Sequence, residues 1–115
     1  MASTFKNAGM TVITSDNASA NLYTCPSATT AVIHALYISN KSASNIANVD
    51  VKVTVDGGTT FRHIGKSLEI DTNNTLTLDK PVNLEQNDIL RIVAEVNADS
   101  TSPDVEVFAS ILEIA

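Results

Sequence analysis

The chain has no tryptophan, one cysteine, and five other aromatic side chains (three Phe, two Tyr) among its 115 residues. One cysteine excludes an intrachain disulfide, so the staple usual in small secreted domains is missing and a reducing compartment is expected. Scarce aromatics mean that a core must be assembled from Val, Ile, Leu and Ala, with few rings to grip a ligand. Basic residues are also in short supply, 7 against 13 acids, for a net charge of −6. Such a balance repels a phosphate backbone, and no nucleic-acid partner is expected. No apolar run reaches the length of a membrane span, and Met1-Ala2-Ser3-Thr4-Phe5-Lys6-Asn7 has no apolar centre of the kind a signal peptide needs. Neither a membrane nor a secretory route is expected.

What is present is enough for one folded unit. A chain of 115 residues with 43% hydrophobic content can bury a core without a metal. Residues 1–9 are small and polar and read as a flexible N-terminal arm, with a domain over residues 10–115. Strand signals begin at Met10–Thr14 and recur at Leu22–Cys25, where Pro26 stops the run. Ala31–Ser39 is the strongest early strand, with Ala31, Ile33, Ala35 and Tyr37 on one face and Val32, His34, Leu36 and Ile38 on the other. Val49, Val51, Val53 and Val55 alternate with Asp50, Lys52, Thr54 and Asp56, the period of a strand with one wet face. Asp56-Gly57-Gly58-Thr59 supplies a tight turn, and the chain returns through Phe61–Ile64. Turn clusters at Asp71–Asn74 and Glu85–Asn87 bracket short strands at Thr75–Leu78 and Val82–Leu84. Ile89–Val96 and Val105–Ile114 complete the series, with a loop at Asn97–Pro103 between them. No segment keeps a helical period. About eight short strands separated by turns define an all-β chain: a single antiparallel β-sandwich, of jelly-roll or immunoglobulin-like form.

Candidate chemistry is sparse. Cys25 would need a neighbouring base to act as a nucleophile, and in an apolar strand end before Pro26 it reads as a small core residue. His34 and His63 lack the further ligands a zinc site requires. His34 fits an interior or an interface, and His63 points to solvent. The acids Asp71, Asp79, Glu85, Asp88, Asp99 and Asp104 fall in or near turns, where Asp bonds its own backbone. Asp71-Thr72-Asn73 and Asp99–Asp104 do not match the spacing of a calcium loop. No catalytic, cofactor or metal residues are assigned, and no enzyme activity is expected.

The informative excess is apolar. Ala31–Ser39 and the last strand each carry two apolar faces, whereas a sandwich has one interior. Val32, His34, Leu36, Ile38, Phe108, Leu112 and Ile114 are therefore candidate interface residues, and a homo-oligomer, a trimer or a ring, is expected.

Leu22-Tyr23-Thr24-Cys25-Pro26, Thr29–Ile33, Tyr37–Asn40, Val82–Leu90 and Leu112-Glu113-Ile114 together resemble small virion structural proteins of tailed bacteriophages. Where that pattern has Gly, this chain has Asn87, which also adopts left-handed backbone angles. The resemblance implies a non-enzymatic virion protein made in the host cytoplasm, foremost a capsid decoration (cement) protein held against the major capsid protein or other virion proteins. It leaves open a place at the head-tail junction or an adaptor on the tail or fibre. It also leaves open a glycan- or receptor-binding module, in which Tyr23, Tyr37 or Phe61 would stack on sugar.

Overall fold

The computed structural model describes residues 2–12, 19–95 and 105–115. Nine strands and no helix occur among them: β1 (Ser3–Val12), β2 (Ser19–Thr24), β3 (Thr30–Asn40), β4 (Ala47–Thr54), β5 (Phe61–Ile70), β6 (Asn74–Leu78), β7 (Val82–Leu84), β8 (Ile89–Glu95) and β9 (Val105–Ile114). Their pairings nest. β4 pairs with β5, β3 with β6 and β7, β2 with β8, and β1 with β9, all antiparallel. That is the ladder of one long hairpin bent at the β4–β5 turn. Rolling the hairpin adds β9 to β3 and β8 to β4. Two sheets result, β1-β9-β3-β6, with β7 also on β3, and β2-β8-β4-β5. This wrapping is a jelly roll.

β6 and β7 behave as one broken edge strand, because both lie along β3, at Leu36–Asn40 and Ala31–Ile33 respectively. The break contains Pro81, which has no N–H to give to a ladder and is tolerated only at such an edge. The described strands number nine, with β6 and β7 separate as the sequence reads them, against about eight from the turn spacing.

The core between the sheets is aliphatic, as the composition requires. Ile33, Ile38, Leu84, Leu90, Ile92, Ile111, Val49, Val51 and Val105 are fully enclosed, each contributing about 1.5–3 kcal/mol by leaving water. Of the aromatic rings, Tyr23 alone packs against this cluster, half-buried at its margin. Turn chemistry follows the sequence closely. Gly57 and Gly58 take φ of 74° and 107°, and Asp56 Oδ1 accepts from the Thr54 hydroxyl and from the Thr59 and Thr60 N–H groups. Those donors, the Thr54 hydroxyl first, hold the Asp56 carboxyl down at about 2. Asn87 turns with φ 67°, as its substitution for glycine in the turn before β8 implies.

Four expectations need correction. Residues 1–9 were to lie outside the sandwich, yet Ser3–Gly9 form most of β1 and pair with β9 from Ile114 to Phe108. Ladder hydrogen bonds use backbone groups alone, so a polar segment with no apolar alternation still makes an edge strand. Leu36 and Ile38 were assigned to the outer face with Val32 and His34, but they are 3% and 0% exposed. A β-bulge between Ile33 and Ala35 inserts one extra residue and reverses the parity of everything after it. Ala31, Ile33, Leu36 and Ile38 thus face inward and Tyr37 faces out. Val55, read as a core residue of β4, is exposed because β4 ends at Thr54. Asp50, on the supposedly wet face, is buried under an irregularity of β5, where Ser67, at φ 50°, donates its N–H to Asp50 Oδ1 over 2.7 Å. Lys66 Nζ and His63 Nε2 stand 3.4 and 3.7 Å from its other oxygen.

The loop expected at Asn97–Pro103 and the acids Asp99 and Asp104 lie outside the described residues.

Candidate assembly surface

The outer face of the β1-β9-β3-β6 sheet gathers three of the six exposed large apolar side chains of the described chain, Phe5, Tyr37 and Phe108. Strict alternation along β9 buries Val105, Val107, Ala109 and Ile111 and sends Phe108, Leu112 and Ile114 outward. Register then sets their neighbours. Phe5 on β1 and Val32 on β3 flank Leu112, Tyr37 flanks Phe108 from β3, and Ala35 flanks Ser110. Phe5 is 80% exposed, Phe108 44% and Tyr37 40%. The Tyr37 and Phe108 rings lie 6.2 Å apart at 45°, and Phe5 lies over the His34 ring at 6.1 Å. A polar row closes one end of the patch, where Ser39 and Thr75 hydroxyls meet at 2.8 Å and Lys41 reaches Glu106 at 3.7 Å. An apolar centre rich in aromatics with a polar rim is the composition of a protein interface.

Of the seven interface residues predicted from sequence, the structure therefore gathers Val32, His34, Phe108, Leu112 and Ile114 on one face and withdraws Leu36 and Ile38 into the core. It adds Tyr37, hidden from the pattern by the bulge, and Phe5, whose segment carries no strand alternation at all.

Cys25 is fully enclosed; its thiol contacts the Thr29 carbonyl at 3.3 Å. Burial first, then the nearby Glu113 and Asp88 charges, push that thiol up from its ordinary value, which suppresses the nucleophilic thiolate. Among the described residues no three His, Cys, Asp or Glu side chains are grouped to hold a metal ion.

Glu113 is the one acid on the inner face of β9, and it ties the sheets together. It accepts from the Tyr23 hydroxyl of β2, and its other oxygen pairs with Lys6 Nζ of β1 at 3.1 Å. The Tyr23 hydrogen bond, ahead of Lys6, holds the Glu113 carboxyl below the usual carboxylate range, against the effect of its own burial. Burial and the same carboxylate push the Tyr23 hydroxyl up. Because the folded carboxyl is depressed, its contribution is complete above the ordinary Glu value and disappears as pH falls through the folded one. Glu113→Gln should cost about 1.5–3 kcal/mol at neutral pH. Thermal melts from pH 7 down to acid should show this gap narrowing, and a constant gap would remove the charged form from the account.

No protein-family model and no curated protein matches the chain. Solved structures do. A chain of the T13 particle of infectious bursal disease virus superposes with a TM-score of 0.61 at 12% identity, over 96% of this chain and 30% of that one. A chain of the capsid of Helicobacter pylori bacteriophage KHP30 gives 0.55 at 16% identity, covering 96% of this chain and 87% of that one. A subunit of the disulfide-linked pili of Bacillus endospore appendages gives 0.53 at 10% identity, covering 98% and 88%. This chain spans about a third of the bursal disease virus chain and nearly the whole of the other two. At such identities the shared property is the fold, a jelly-roll sandwich that also occurs in viral capsid chains.

Proposed function

We propose that this chain is a non-enzymatic structural protein of a virion, and that it acts as a capsid decoration (cement) subunit. The observation that carries the reading is the outer face of the β1-β9-β3-β6 sheet, where Tyr37 and Phe108 stand exposed beside Val32, Leu112 and Ile114. A surface of this kind is stable in water once another protein covers it, and cementing a shell needs only shape-matched burial across the seams between its subunits. The likeness to capsid chains of two viruses supports the same reading. The major capsid protein is the proposed partner, the particle the proposed location, and the host cytoplasm the proposed site of synthesis.

The likeness to a pilus subunit points to another kind of assembly, but a disulfide-linked polymer needs at least two bonding sites per subunit. This chain has one cysteine, and it is enclosed. A place at the head-tail junction or on a tail fibre would use the same apolar face and differs only in the partner.

The test is add-back of purified protein to particles assembled without it. Wild-type chain should bind. Phe108→Glu, with an unchanged melting temperature, should bind about 30-fold more weakly, the effect of losing a central aromatic anchor. Equal binding by the two, or none by the wild type, rejects the reading.

A further inference from the structure

At the edge of the sheet opposite β1, the sandwich stands open. The β3 bulge lies against the break in the β6–β7 strand, since Ile33 pairs with Val82 and Leu36 with Leu78 while Asp79, Lys80 and Pro81 intervene. Neither strand closes the gap, and a cleft of about 270 Å³ runs from it between the sheets. Its floor is the buried Ile33, Leu36 and Leu90; Leu78 and Val82 form its wall and the exposed Ile64 its rim.

We propose that this cleft receives the Phe5 side chain of a neighbouring copy, so that copies join head to tail, the β1 edge of one against the β6–β7 edge of the next. Size selects the occupant. An apolar cavity of about 150 Å³ already accepts a benzene ring, whereas drug-sized ligands take about 300 Å³ or more. The cleft at about 270 Å³ suits one aromatic side chain. Phe5 is the most exposed large apolar residue described, resting on His34 without being covered. It sits on the edge strand at the far side of the same sheet from the cleft, the arrangement from which a head-to-tail contact repeats into a ring or filament. Charge does not oppose the contact. Lys6, the only charged residue of Ala2–Val12, is paired with Glu113, so an edge without net charge meets the Asn74–Glu85 edge, which carries two acids, Asp79 and Glu85, and one base, Lys80.

This contact goes beyond the shell-binding reading, because the edges join copies to one another while the Tyr37–Phe108 region meets the shell. Sedimentation velocity of the purified full chain tests it. Wild type should form species larger than a dimer. Phe5→Ala, which keeps the cleft, and Ile64→Trp, which fills it from the rim, should each weaken self-association about 30-fold. Mixed together, they should give a one-to-one dimer and nothing larger, since only one good Phe5 and one good cleft meet. Should Ile64→Trp fail to fold by circular dichroism, Val82→Phe from the cleft wall takes its place. Phe108→Glu should assemble like wild type, which separates this contact from the shell face. Assembly of Phe5→Ala or the filled cleft at wild-type strength, a mixture that stays monomeric, a monomeric wild type, or loss of association in Phe108→Glu would each overturn the proposal.

Discussion

Ile38→Asp should unfold the protein, whereas Tyr37→Asp, one position away on the same strand, should leave it folded. Ile38 is wholly enclosed between the sheets, and Tyr37 is 40% exposed on the outer face. An unpaired carboxylate at Ile38 has no partner and no water. Its burial costs several kcal/mol, comparable with the total stability of about 5–15 kcal/mol that a domain of this kind possesses. At Tyr37 the same carboxylate reaches solvent, and the cost falls to the lost contact with Phe108. Far-UV circular dichroism and chemical denaturation of the two variants check the pair. The opposite ranking would mean that β3 carries no bulge and that its two faces are exchanged.

Asn40→Ala should be the most damaging change among the buried polar residues, by about 2–4 kcal/mol. Asn40 is 1% exposed at the end of β3. Its amide nitrogen donates to the Asn45 carbonyl at 2.8 Å and the Ile70 carbonyl at 3.1 Å, and its oxygen accepts from the Ser42 N–H at 3.0 Å. One side chain thereby fastens the β3–β4 loop to the end of β5. Alanine strands these backbone groups away from water, and the penalty is that of leaving them unpaired rather than of losing one average hydrogen bond. Asn40→Asp, close to the same shape, should fail to rescue, because it sets a carboxylate oxygen against two carbonyls. Urea unfolding at neutral pH reads both; a loss below about 1 kcal/mol for alanine would show that water replaces the amide, since surface substitutions fall in that range.

The sequence carried most of the inner architecture and less of the outer. β9 reads correctly because its alternation from Val105 to Ile111 is unbroken, and the β4–β5 hairpin reads correctly because Gly57 and Gly58 are residues that a positive-φ turn demands. β3 misleads in its second half. A bulge inserts one residue with no composition signal of its own, so Leu36 and Ile38 exchange faces with Ala35 and Tyr37. The first seven residues of β1, before the Met10–Thr14 run that does read as a strand, are illegible for a different reason: their pairing with β9 is made by backbone groups, and Ser3, Thr4, Lys6 and Asn7 give no apolar rhythm to detect. Phe5 was lost with them. Glu113 left a trace, a single acid inside the apolar run Ile111–Ile114, but its partners Tyr23 and Lys6 lie far away in sequence and meet it only once the sheets have closed.

The most direct measurement is a reconstruction of the particle that contains this chain, at a resolution that traces its strands. The account predicts the β1-β9-β3 outer face, with Tyr37 and Phe108 at its centre, lying against shell protein. A particle without the chain, or one in which that face meets solvent while another surface holds the shell, would contradict it.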